Sequence, residues 1–293
     1  MGMLRASAVL AGFFALTVPL MPVQAVLVRV APKAARRFPH WYHRQVCRLL
    51  GITLHIDGKV IDDAPVLLVA NHTSWLDIPV MSAVAPVSFV AKKEVGGWPF
   101  VSSLARSQRT VFIDRSRRQS AGDSADEISQ RLQAGDTIVL FAEGTSSDGN
   151  RVLPFKSSLF AAVKGTTGAG SAQSQAVVQT VAVVYTHLHG IPIERADRPR
   201  VGWYGDMEMQ SHAWGVLKSG PLGVTIRIGP PVPLDAFSGR KDLALTSERA
   251  VRRDVIGVLR GRPGDPDIVP VEPDEDRRRQ RLPTATISNE KWT

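Results

Sequence analysis

At 293 residues the chain is longer than one typical domain and short of two, which points to one catalytic-sized body, 56–262, between extensions at 1–55 and 263–293. Its single cysteine, Cys47, has no partner for an internal disulfide and no Cys/His cluster has zinc-ligand spacing, which excludes a disulfide scaffold and a zinc site as readings. Lys and Arg outnumber Asp and Glu by 36 to 27, and before Asp57 there are seven Lys or Arg and no acid, so an anionic partner is expected.

The N-terminus says which partner. Ala6 to Val28 is 23 residues without a charge, long enough to cross a hydrocarbon core as a helix. Pro19 and Pro22 leave other readings open: a kinked span, a re-entrant pair, or a signal peptide cleaved near Val23-Gln24-Ala25. The cations Arg29, Lys33, Arg36 and Arg37 follow it, which by the positive-inside tendency holds that end, and the body, on the cytoplasmic side. The run 38–51, FPHWYHRQVCRLLG, spaces apolar residues as a helix among cations, either on a membrane interface or against a core. Cations beside apolar and aromatic residues fit a lipid headgroup zone, so membrane lipid is expected as partner and nucleic acid is not.

From Asp57 short apolar runs alternate with helix-like segments, an α/β pattern with a central, mostly parallel sheet flanked by helices. Strands are predicted at Val66–Ala70, Val87–Ala91, Thr110–Ile113, Thr137–Phe141, Val177–Tyr185 and Val224–Ile228. Helices are predicted at Ser120–Ala134, Ser157–Lys164, Met207–Leu217 and Thr246–Leu259. Gly168 to Gln175 is a small-residue connection without a phosphate-loop Lys, and the Pro- and charge-rich end from Arg262 reads as a disordered tail.

The strand VLLVA runs into Asn71-His72-Thr73-Ser74-Trp75-Leu76-Asp77, at the strand end where α/β sheets open their ligand crevice. Five residues on a continuous helix turn through about 500°, leaving His72 and Asp77 about 140° apart. Contact therefore requires His72 in the turn and Asp77 inside the helix. Asp77 then fixes the ring tautomer while the other ring nitrogen takes a proton from an attacking hydroxyl, a base dyad without its own nucleophile. The competing reading makes His72 a cap and Asp77 a solvated residue.

A second cluster, Glu143-Gly144-Thr145-Ser146-Ser147-Asp148-Gly149, also follows a strand, and Pro154-Phe155-Lys156 opens the next segment. Its amides suit an oxyanion or phosphate, Glu143 suits positioning a substrate hydroxyl or a loop, and Lys156 brings positive charge. Read blandly, it is a glycine turn with Glu143 on its rim. Phe112-Ile113-Asp114-Arg115 ends a strand in an Arg suited to an anionic head group, although an exposed strand-end Arg is the commoner case.

Together these motifs carry a resemblance. NHTSWLD, KKEVGGWPF, FIDRSRR, FAEGTSSDG and a later strand with Ile191-Pro192 resemble, in order, the glycerolipid acyltransferase family that includes the 1-acylglycerol-3-phosphate acyltransferases, over about residues 55 to 235. The resemblance implies His72 as general base with Asp77 as its partner. It also implies an acceptor site with Arg115 and the Glu143-Gly144-Thr145 segment, to which Asn71, Ser146 and Lys156 are added. No cofactor is implied; acyl-CoA or acyl carrier protein is the acyl donor, and attack is direct. Phosphate-using members commonly carry Arg where this chain has Ser146, which removes a bidentate cation. The phosphate acceptor, giving phosphatidic acid, is still placed first as the family's commonest activity, with lyso-ornithine lipid second. A serine esterase is disfavoured because no G-x-S-x-G elbow exists, and a non-catalytic lipid-binding role leaves His72, Asp77 and Glu143 unexplained. Oligomeric state is left open.

Overall fold

A computed structural model describes residues 2–92, 96–97, 99–113, 118–160 and 176–262. Arg115, the end of the helix predicted at 157–164, the connection at 168–175 and the tail from 263 lie outside the described residues. In chain order the elements are α1 (Gly2–Val30), α2 (Pro32–Leu50), β1 (Ile52–Asp57), β2 (Val66–Ala70), α3 (Asp77–Val84), β3 (Ser88–Lys92) and α4 (Pro99–Ser107). There follow β4 (Val111–Ile113), α5 (Arg118–Gln133), β5 (Thr137–Phe141), β6 (Val177–Leu188), β7 (Ile191–Pro192), α6 (Met209–Ser219), β8 (Leu222–Ile228), β9 (Val232–Pro233) and α7 (Arg240–Leu259).

The sheet order is β1-β8-β6-β2-β5-β3-β4, with β7 and β9 paired to β6. β6, β2, β5, β3 and β4 run parallel; β8 is antiparallel to β6, and β1 is parallel to β8. All five residues of β2 are buried, as a central strand covered on both faces requires. The pleat sends Val66, Leu68 and Ala70 into one core with residues of α1, α2, α3 and α6. Leu67 and Val69 enter the other core with Ile128 and Leu132 of α5 and Val251 and Val255 of α7.

The predicted strands are all present, and the differences lie at edges. β1 was not among the predicted strands although Ile52, Leu54 and Ile56 alternate with Thr53, His55 and Asp57; it lies at the sheet edge and buries only Ile52 fully. Its pairing with β8 means that the boundary placed at 55/56 cuts a strand, and the sheet begins at Ile52. α7 starts at Arg240, six residues before the predicted helix, because Leu243 and Ala244 extend its apolar contact with the sheet. Residues 157–160 form a 3-10 turn where a helix was predicted.

α1 is one continuous helix despite Pro19 and Pro22, and by length and composition it is able to cross a membrane. It is docked along its length, however. Arg5 donates to the carbonyl of Leu50 at 2.7 Å and also to that of Leu217; Thr17 Oγ1 lies 2.7 Å from the Tyr42 hydroxyl; Gln24 donates to the carbonyls of Ala35 and Ser107. Its other side exposes Leu10, Phe14, Val18, Val23, Val26 and Val30.

Candidate functional site

β2 and β5 are parallel neighbours with Ala70 opposite Phe141, so the turns after them emerge together at one end of the sheet. Those turns are stitched to each other. The His72 amide donates to Glu143 Oε1 at 2.9 Å, and the Ser147 amide returns to the His72 carbonyl at 2.9 Å. His72 therefore sits on a backbone held from both sides, and its ring stacks on Phe141 with centroids 4.2 Å apart and planes 15° apart.

Asp77 is the first residue of α3 and is fully buried. Its Oδ2 lies 2.7 Å from His72 Nδ1 and accepts the amides of Thr73 and Ser74 at 2.7 and 3.0 Å. Oδ1 accepts the Tyr185 hydroxyl at 2.7 Å. The Asp77 oxygens accept three other donors, so Nδ1 is the donor in the His72 contact and the lone pair lies on Nε2. The His72 side chain keeps 19% of its surface exposed, enough for Nε2 to meet a ligand.

Glu143 is buried with both oxygens engaged, Oε1 by His72 and Oε2 by the Leu153 amide at 3.0 Å. Of its two anticipated roles, the geometry matches positioning of the loop. Burial pushes its carboxyl up to about 8, against the two amide bonds that favour the anion; the nearby Asp77 charge adds to the rise. Because the folded value exceeds the ordinary one of 4.5, the folded state holds the proton more tightly, and this contribution to stability is full below about 4.5 and lost as pH rises through 8. We expect the thermal midpoint of the wild type to fall across that window relative to Glu143→Gln, by the equivalent of on the order of 1 kcal/mol per pH unit. Parallel melting curves of the two proteins against pH test this.

Asn71 was grouped with the substrate-binding residues, but its side chain is buried, accepts the Val183 amide at 2.8 Å and donates to the Val183 carbonyl at 2.9 Å. It continues the β2–β6 ladder by one residue, with both amide atoms engaged by β6. Thr145 and Lys156 are exposed beside the turn, and Gly144 takes a φ of 70°, a conformation that favours glycine. The Ser146 hydroxyl donates to the Trp203 carbonyl, and the Trp203 amide donates to the Thr73 carbonyl at 2.9 Å. The segment between β7 and α6 is thereby strapped across both turns.

Three contributors were not anticipated: Tyr185, Phe141 and Trp203. Tyr185 shares the face of Val181 and Val183 on β6, a period-two signal visible in the sequence, but only the β2–β6 pairing brings that face to Asp77. Burial, with the Asp77 charge, raises the Tyr185 hydroxyl well above 10, so it remains a donor.

A family model described as Acyltransferase matches residues 51–184. The chain is 45% identical over 261 residues to a lyso-ornithine lipid O-acyltransferase of Brucella abortus (strain 2308), covering 89% of this chain and 97% of that protein. It is 34% identical over 204 residues to a 1-acyl-sn-glycerol-3-phosphate acyltransferase of Neisseria meningitidis serogroup B, covering 69% and 73%. The crystal structure of the 1-acyl-sn-glycerophosphate (LPA) acyltransferase PlsC from Thermotoga maritima superposes with a TM-score of 0.63 at 25% identity, covering 90% of this chain and 97% of that one.

Proposed function

Since the chain belongs to the acyltransferase family and acts on lysolipids, we propose that His72 is its general base and Asp77 the residue that orients it. The observation carrying this is the 2.7 Å contact of Nδ1 with a buried carboxylate that also accepts Thr73, Ser74 and Tyr185, leaving Nε2 at the partly open face of the ring. The lysolipid hydroxyl gives its proton to Nε2 as its oxygen attacks the thioester carbonyl of acyl-CoA or acyl carrier protein. The C–S bond then breaks, and the departing thiolate takes the proton from the imidazolium, so no acyl-enzyme forms. The Gly144-Thr145 turn and exposed Lys156 stand beside the dyad as groups for the oxyanion and the head group.

For the acceptor, lyso-ornithine lipid moves ahead of the phosphate reading. The relative at 45% identity bears that activity in its name, and the position after Glu-Gly-Thr holds Ser146, whose hydroxyl is spent on Trp203. The phosphate acceptor keeps the support of the 34% relative and of the superposed structure. Purified protein in detergent, supplied with acyl-CoA or acyl carrier protein thioester and a panel of lysolipids, tests both. Absence of thiol release with every acceptor rejects the catalytic reading, and faster release with lysophosphatidic acid reverses the acceptor order. Ser146→Arg should raise the phosphate-to-ornithine ratio about tenfold or more, the worth of one charge-assisted hydrogen bond; an unchanged ratio means that position 146 does not meet the head group.

The docked α1, with its outer apolar stripe and exposed Trp41, favours a helix lying in one membrane face over a free-standing span. Its flanking cations favour a catalytic body on the cytoplasmic side, where anionic head groups attract them.

A further inference from the structure

The sheet carries a second concavity at the end remote from His72. The five residues of β2 separate the two ends by about 17 Å at the rise of a strand. This is an open groove of about 990 Å³, bounded by the first residues of β3 and β5 (Ser88 and Thr137), the ends of β1 and β8 (Ile56 and Ile228), and α2 from Lys33 to Trp41.

Its charge is one-sided. Lys33, Arg36, Arg37, Lys59 and Arg109 line it against two acids, Asp62 and Asp136. Asp136 is buried and already shared by three guanidiniums: Arg36 at 3.1 Å, Arg109 at 2.9 Å and Arg131 at 3.3 Å. Lys33, Arg37 and Lys59 have no acidic partner among the described residues. Arg109 is held at a φ of 59°, a left-handed conformation unusual for a residue other than glycine.

Beside it, Gln108 lines the same groove with 6% of its surface exposed. The remaining wall is apolar: Leu27 from the end of α1, Phe38, Trp41, Val60 and Ile61. Leu27 lies within the stretch of α1 that exposes Val26, Val28 and Val30, so the groove continues the apolar surface that this helix presents.

We infer that this groove is a second lipid site, which takes the phosphate head group of an anionic membrane phospholipid. Arg37 and Lys59 meet the phosphate, and the acyl chains lie against Phe38, Trp41 and the end of α1. A free anion would leave the apolar half of the wall unused. An acidic carrier protein has to deliver its thioester to His72, at the other end of β2. The inference does not depend on the catalytic assignment.

The test is flotation of the full chain with vesicles of phosphatidylcholine alone or mixed with phosphatidylglycerol, at one ionic strength. Arg37 and Lys59 are exposed and without an acidic partner among the described residues, so Arg37→Glu/Lys59→Glu should fold and bind neutral vesicles through α1 as the wild type does. Its preference for anionic vesicles should drop by roughly fivefold or more for each cation removed. Arg29→Glu/Arg44→Glu, equal in charge but on α1 and α2 outside the groove, should lose much less. Equal losses in the two charge pairs, or no loss in the groove pair, overturns the site. Displacement of the vesicles by inorganic phosphate at the same ionic strength overturns the lipid as its occupant.

Discussion

The His72→Ala variant is expected to fold and to lose acyl transfer by a factor on the order of 10²–10⁴ in kcat, the usual worth of a positioned general base. Folding should survive because the backbone of residue 72 is held independently of its side chain, through the Glu143 carboxylate and the Ser147 amide. The ring itself contributes one bond to Asp77 and one stacking contact with Phe141. Thiol release under saturating donor, with a far-ultraviolet spectrum and a melting curve beside it, makes the comparison. A folded variant with near-normal turnover removes His72 from the mechanism.

Asp77→Asn should cost about 10²–10⁴-fold in kcat as well, for a different reason. An amide keeps roughly the same shape but presents one acceptor oxygen and one donor nitrogen where the carboxylate meets four donors. If the amide nitrogen faces His72, the ring must turn its lone pair inward and Nε2 becomes a donor, unable to accept the hydroxyl proton. If the oxygen faces His72, the Tyr185 hydroxyl loses its acceptor inside the core. Both outcomes also destabilise the protein, by about 1–3 kcal/mol for a buried group left unsatisfied. The kcat loss should therefore exceed what the stability loss explains, and the fall should be in kcat more than in KM. A variant that is destabilised but turns over normally once folded would make Asp77 a purely structural residue.

Much of this site is local and was legible before any fold was known. The five-residue spacing of His72 and Asp77 admits contact only across a strand-to-helix turn, and the run VLLVA before it and the helical pattern after it supply that turn. Unbroken, β-branched apolar runs made β2, β5 and β6 recognisable, since central strands are apolar on both faces. β1 carries the complementary signal, Ile52, Leu54 and Ile56 alternating with polar residues as on a half-covered edge strand, and was passed over because the alternation is short and buries only Ile52 fully. Asn71 and Glu143 show a subtler limit. Asn71 was expected at the substrate and Glu143 at a substrate hydroxyl or a loop; in the fold each engages backbone groups distant in sequence, Val183 for Asn71 and His72 with Leu153 for Glu143. A side-chain amide or carboxylate looks the same in sequence whether its partner is a ligand or a peptide group.

His72 and Asp77 thus divide the question cleanly. By itself the sequence determined that an imidazole and a carboxylate could meet, because their spacing and the flanking periodicities are short-range properties of the chain. It also determined that an apolar, cation-flanked N-terminus precedes an α/β body. Only the tertiary structure decided what surrounds that pair: Tyr185 behind Asp77, Phe141 beneath His72, Trp203 over Ser146, and α1 laid along the body instead of standing free from it. The physical reason is that these contacts depend on strand order and helix docking. Such features are selected by burying both faces of one sheet at once, and no window of neighbouring residues contains that condition.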